Sequence, residues 1–349
     1  MPVHGHLLEI ELPRHRINCP DCHYPYEKLP AAFLENHKLT KDYANWIYQK
    51  AKVMTYSDIA IETGLSDNFI RTVEKEILKE EIDKREIGEL ETLGVDEFQV
   101  GKGHNYFTTV TDLDNEEVLD VVKGRKTSDL APFYWSFRKK LKNVRWVVMD
   151  MWKGYIAGFT RFCKNTNILF DHFHIAKHLN DAMDKLRKTE LKRLTDENKE
   201  IIKGKKWILL KRYHNLRRNQ KSILKELLRM NRRLCKAYLL KEHFLTIWTI
   251  QTKKGFKRFW TNWKKNLRWQ RLEPFVNFSR MIDKHMDGIL SIFEREKPIK
   301  FGYIESLNTK IKLLIRKHRG YKDMELLKMK IIQTGSKSLK DYVPYPWVV

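Results

Sequence analysis

Proline is absent from the whole stretch between Pro132 and Pro274, whereas five of the ten prolines fall at positions 2 to 30. Proline removes a backbone donor and breaks helix interiors, so the proline-free span is free to be helical almost throughout. Residues 1–35 read instead as a short irregular module. Residues 36–90 read as helices with a turn at Gly64-Leu65-Ser66, and after Glu91 the texture changes. Gly94-Val95-Asp96-Glu97-Phe98, Asn105 to Leu113 and Glu117 to Val122 have strand character, with Asp-Leu-Asp-Asn at 112–115 as the turn between the second and third. A helix from Ser128, a candidate N-cap, to Leu141 follows. Then come the apolar run Val144 to Met149, a helix near Tyr155 to Cys163 and a second apolar run, Asn167 to Phe170. Three antiparallel strands followed by alternating helix and strand is the order of an RNase H-like α/β fold with a mixed sheet.

The remainder divides by composition. Residues 178–297 form a block rich in Lys, Arg, Leu and Trp with helical spacing, and Gly302 to His318 is a further helix with Gly320 as its C-cap. The segmentation is therefore 1–35, 36–90, a core in two parts at 91–177 and 298–334 separated by the basic helical block, and a tail at 335–349. A hydrophobic content of 42% in 349 residues supports a real core, and a formal net charge of +24 makes a polyanion, above all nucleic acid, the expected partner. No apolar run approaches the ~20 residues of a spanning helix, so no membrane partner is expected and the compartment should be the cytoplasm. Four cysteines do not make a disulfide framework.

Three acids stand out. Asp96 lies in the first strand, and Asp150 ends the apolar strand Trp146-Val147-Val148-Met149. An ionised carboxylate there is costly to bury, a cost that a divalent cation offsets and a solvent-exposed strand end avoids. Both readings stay open for either Asp alone; two on neighbouring strands favour a metal. Glu305 begins a helix whose Leu307, Ile311, Leu314 and Ile315 recur at core spacing, while Glu305, Asn308, Lys312, Arg316 and Arg319 form a polar stripe. Such a stripe suits a metal ligand facing a phosphate backbone, or simply an amphipathic surface helix with Glu at its positive end. Residues 55–78 carry a helix-turn-helix pattern, with Ile59, Ala60, Ile70 and Val73 inward and Asn68, Arg71, Thr72 and Lys75 outward as candidate DNA contacts. Cys19-Pro-Asp-Cys22 supplies two of the four ligands that tetrahedral zinc needs. In Lys253 to Arg271, the aromatics Phe256, Phe259, Trp260, Trp263 and Trp269 read mostly as core, and the Lys and Arg between them as phosphate contacts.

The runs Gly94-Val95-Asp96-Glu97, Gly101-Lys102-Gly103-His104-Asn105-Tyr106, Val148-Met149-Asp150-Met151, Asp171-His172-Phe173-His174 and Glu305-Ser306-Leu307-Asn308-Thr309-Lys310-Ile311-Lys312 together resemble bacterial insertion-sequence transposases of the ISL-three type, from about Arg14 to Lys330. The resemblance implies that Asp96, Asp150 and Glu305 form a DDE triad holding two Mg²⁺ or Mn²⁺ ions on an RNase H-like domain interrupted by a helical insertion. It further implies double-stranded DNA as partner, at element ends and target, and a homo-oligomer on that DNA. Asp171-His172-Phe173-His174 also resembles the Cys/Asp-x-x-His signature of several DDE lineages. Asp171 and His174 are then active-site supports or DNA contacts, or else a hydrogen-bonded pair tying strand to helix. The resemblance places a first Cys pair upstream of Cys19, and residues 1–18 contain none; His4 and His6 are poor substitutes, so reduced thiols are expected rather than filled zinc. A repurposed DNA-binding protein without activity and an RNA-processing nuclease on the same fold are the alternatives.

Overall fold

The computed structural model describes residues 37, 39–101, 103, 105–193, 202–295, 298–317 and 320–341, with 2–3, 6–7, 16–18, 20–22, 25–27 and 32–34 before them. Cys19, His4, Arg319, Lys102, His104 and most of the tail lie outside the described residues. Strands β1 (Pro2–Val3) and β2 (His6–Leu7) pair antiparallel, as do β3 (Arg16–Asn18) and β4 (Pro25–Glu27). Five further strands form a mixed sheet in the order β7-β6-β5-β8-β9: β5 (Thr92–Gln99), β6 (Tyr106–Asp112), β7 (Glu117–Lys123), β8 (Trp146–Met149) and β9 (Asn167–Phe170). Pairs β5/β8 and β8/β9 are parallel, and β6/β7 is an antiparallel hairpin.

The chain divides into two compact units, one of residues 1–90, 97–125 and 302–349, the other of 91–96 and 126–301. In the first, α1 (Lys41–Val53), α2 (Tyr56–Thr63) and α3 (Asp67–Asp83) pack together. Thr55 and Asp58 form a reciprocal capping box on α2, and Gly64 ends it at φ 71, a left-handed value that costs glycine nothing. Helices α13 (Phe301–Lys317) and α14 (Met324–Gly335) complete the unit. Leu307 and Ile311 are buried against Phe98, Phe107, Val118 and Val121, with Leu314 and Ile315 at the edge of that cluster, so the core stripe read in the sequence lies on strand residues as expected. Gly335 lets α14 approach: a Cβ there would meet a Val118 methyl at 2.3 Å.

The second unit contains β8, β9 and the helical block: α4 (Ala131–Ser136), α5 (Lys153–Phe162), α6 (His172–Arg193), α7 (Lys206–Leu210), α8 (Arg218–Met230), α9 (Arg232–Phe244), α10 (Lys253–Arg268), α11 (Glu273–Lys284) and α12 (Met286–Leu290). The expected helix from Ser128 to Leu141 is corrected. Pro132 sits in the first turn of α4, Ser128 does not cap it, and a 3-10 turn at Lys140–Asn143 replaces its second half. Phe256, Trp260 and Trp263 are buried and Trp269 is exposed, so the basic block hides most of its aromatics. Lys241, fully buried, donates to the carbonyls of Leu209 (3.0 Å), Leu210 (3.2 Å) and Lys211 (2.8 Å), where the end of α7 leaves acceptors unpaired.

Candidate active site

The register of the parallel strands builds the site. Gly94 lies beside Val148 on β5 and β8, so two residues on Asp96 stands beside Asp150. Met149 lies beside Phe170 on β8 and β9, so one residue on Asp150 stands beside Asp171, whose N–H donates to the Met149 carbonyl at 3.2 Å. Three aspartates therefore share one level across three adjacent strands spaced about 4.8 Å apart. That level is the carboxyl end of β8 and β9, where open α/β sheets bind their ligands.

Helix α6 starts directly after β9 and turns two imidazoles onto this row. The Asp171 carboxylate accepts the Phe173 N–H at 2.9 Å and so fixes the helix start. Its other oxygen stands 3.4 Å from His174 Nδ1, while His174 Nε2 stands 3.7 Å from Asp96. One turn later His178 Nε2 lies 3.8 Å from Asp150, whose carboxylate also accepts the Met151 N–H at 2.6 Å. Asp96 is 6% exposed and sits among these groups.

Electrostatics follow from the crowding. Burial raises the Asp150 carboxyl, but His178, the attraction of His174 and the Met151 N–H outweigh it and hold Asp150 below the usual carboxylate value. Burial lowers His174, but Asp171 and the charges of Asp150 and Asp96 overcome it and leave this imidazole above its usual value. Buried Asp96 and half-buried Asp150, with two imidazoles close by, supply the oxygen donors that a hard divalent cation takes. Among the described residues no group of three or more His, Cys, Asp or Glu is gathered so that it could hold a metal ion.

The structure thus brings together Asp96, Asp150, Asp171 and His174. It adds His178, which the sequence reading missed; the signal was its position four residues after His174, on the same helical face. Glu305 is exposed one turn into α13, past its first turn, in the first unit, with Lys312 and Arg316 exposed farther along that helix. Asn68 and Thr72 are exposed on α3, whereas Arg71 stacks over the Tyr56 ring at 5.5 Å. Lys75, expected to face outward, is engaged by Asp323 (2.8 Å) and Glu325 (2.7 Å), because the α14 N-terminus sets two acids beside it. Cys22 is exposed as a free thiol.

The profile of a family described as transposase, the ISL3 group of DDE enzymes, matches residues 93–331. The transposase for insertion sequence element IS1001 of Bordetella parapertussis is 25% identical over 335 residues, covering 95% of this chain and 82% of the relative. The transposase for insertion sequence element IS1557 of Mycobacterium tuberculosis (strain CDC 1551 / Oshkosh) is 25% identical over 264 residues, 68% of this chain and 58% of the relative.

Proposed function

The chain belongs to the ISL3-type family of DDE transposases, and from that premise we propose that it cuts and joins the DNA of an insertion sequence with Asp96, Asp150 and Glu305 as its acids. The observation that carries this reading is the approach of His174 to Asp96 (3.7 Å) and of His178 to Asp150 (3.8 Å) at the ends of parallel strands whose register, continued, brings the two acids level. In this reading Asp96, Asp150 and Glu305 would hold two Mg²⁺ or Mn²⁺ ions. When bound, such ions supply an activated oxygen nucleophile and neutralise charge on the leaving oxygen.

The chain's own residues do the positioning. Asp171 orients His174, and His174 in turn attracts the Asp96 and Asp150 carboxylates. His178 does the same for Asp150. Exposed Asn68 and Thr72, with Arg71, are the proposed readers of the element end, on a helix-turn-helix formed by α2 and α3. Lys312, Arg316 and the exposed Lys and Arg of α10 contact phosphates, and the two-ended substrate calls for a homo-oligomer.

The test is cleavage of a duplex carrying the element end, with Mg²⁺ or Mn²⁺ against a chelator control. Asp96→Asn, Asp150→Asn and Glu305→Gln each reduce cleavage to background while gel-shift affinity for the same duplex holds. Near-wild-type cleavage by any one of them removes that acid from the site. Wild-type binding with no metal-dependent cleavage would instead favour the repurposed DNA-binding protein.

A further inference from the structure

A cavity of ≈ 830 Å³ opens in the first unit between the end of α1, the second half of α13 and the end of α14. Its lining contains six cations, Lys52, Lys310, Arg316, Lys317, Lys330 and Lys340, and one acid, Asp341. Behind the wall the buried Glu74 pairs with Lys330 at 2.6 Å, and that pair also reaches the Ala51 carbonyl. Lys317 donates to the Val53 carbonyl at 2.9 Å and Lys52 to the Asp341 carbonyl at 3.1 Å. The last carbonyls of α1, the negative end of that helix, thus hold two of these ammonium groups at the cavity.

Glu74 offsets the charge of Lys330, whereas the carbonyls that hold Lys52 and Lys317 are neutral and orient these two cations without cancelling their charge. Burial first, with Lys330 adding to it, holds the Lys52 and Lys317 ammonium groups below the usual lysine range, against the pull of Glu81 on Lys52 and of Glu74 on both. Lys310, Arg316 and Lys340 have no carboxylate at ion-pair distance among the described residues. Leu313, 58% exposed, and Leu314 give the cavity an apolar wall between the charges. Cations fixed around an apolar strip match a chain of phosphates joined by sugars, and an anion lodged there would relieve the repulsion.

We propose that this cavity seats phosphates of a DNA strand, distinct from any reading of bases by α3. The proposal rests on the transposase reading. On the same helix Glu305 precedes Lys310 by five residues, a rise of about 7.5 Å, so a strand laid along α13 from the cavity runs toward that acid.

The experiment measures binding of the full chain to a fluorescent duplex by anisotropy across a salt series. The variant is Lys310→Gln, Arg316→Gln and Lys340→Gln combined, which leaves the Glu74–Lys330 pair and the α1 carbonyl bonds intact. Losing three phosphate contacts should flatten log K against log salt by roughly 2 to 3 units of slope and weaken binding roughly 10- to 100-fold at low salt. The matching Lys310→Arg, Lys340→Arg variant keeps the wild-type slope, and equal melting temperatures show that the fold is intact. An unchanged slope in the Gln variant, with steep wild-type dependence, overturns the cavity proposal alone. A wild-type slope near zero overturns the transposase reading itself.

Discussion

Asp112 and Asp150 both sit at the carboxyl end of a strand, and the chain treats them in opposite ways. On the antiparallel hairpin, the Asp112 carboxylate accepts the N–H groups of Asp114 (2.9 Å) and Asn115 (3.2 Å) and the Asn115 amide (2.8 Å). It is 2% exposed, and its lone pairs are spent on closing the turn. Beyond the parallel strand β8, Asp150 accepts the Met151 N–H, and the His178 and His174 imidazoles add their attraction. A strand-end acid is structural where backbone amides close around it, and available for chemistry where its neighbours are themselves titratable.

The contrast can be broken most severely at His174. Asp171→Asn or His174→Gln should lower metal-dependent cleavage by about 10- to 100-fold and raise the Mg²⁺ concentration needed for half-maximal rate, as loss of a supporting partner does at metal sites. Wild-type metal dependence in both variants would reduce Asp171-His172-Phe173-His174 to a helix start. A smaller effect is expected at Asp112→Ala. It leaves two turn N–H groups unmatched and should cost about 1–3 kcal/mol in urea denaturation, with cleavage per folded molecule unchanged. A loss of cleavage beyond the loss of folded protein would make Asp112 part of the chemistry after all. The smallest signal concerns the packing under the parallel strands, where burial pushes the Cys163 thiol up to about 12. Raising a thiol's pKa removes thiolate at any lower pH, so at pH 8 only about one Cys163 in ten thousand is reactive. Iodoacetamide should modify exposed Cys22 in the native protein and Cys163 only after denaturation, by mass spectrometry. Early modification of Cys163 would mean that α5 opens readily.

What the sequence disclosed followed from periodicity. The hairpin at 112–115, the strands ending in Asp150 and Phe170, and the buried stripe Leu307, Ile311 all repeat at spacings that survive in the fold. Helix α14 left no such trace, because Leu326, Leu327, Met329, Lys330, Ile331, Ile332 and Gln333 are buried with half-buried Lys328 among them, so no regular polar face sets a period. A buried lysine in its middle, paired to a glutamate far away in the chain, disguises it further. The sequence put Asp96 and Asp150 on neighbouring strands and Asp171 near a strand end, but their common level depends on strand register, which periodicity does not carry. Lys75 misled for a related reason: its partners come from a segment remote in sequence.

The parallel pairing of β5 with β8 also sets an order in time. A hairpin such as β6 and β7 joins neighbours and can close as soon as both strands leave the ribosome, whereas the parallel edge of β5 must wait for β8, which follows the hairpin, α4 and a 3-10 turn. Asp96 is synthesised early but has no second carboxylate beside it until residue 150 has emerged, and no imidazole until α6 has begun. A chain released before that point carries α1 to α3 and the β6/β7 hairpin but not the row of acids, so the proposed reading helix is made before the proposed chemical site.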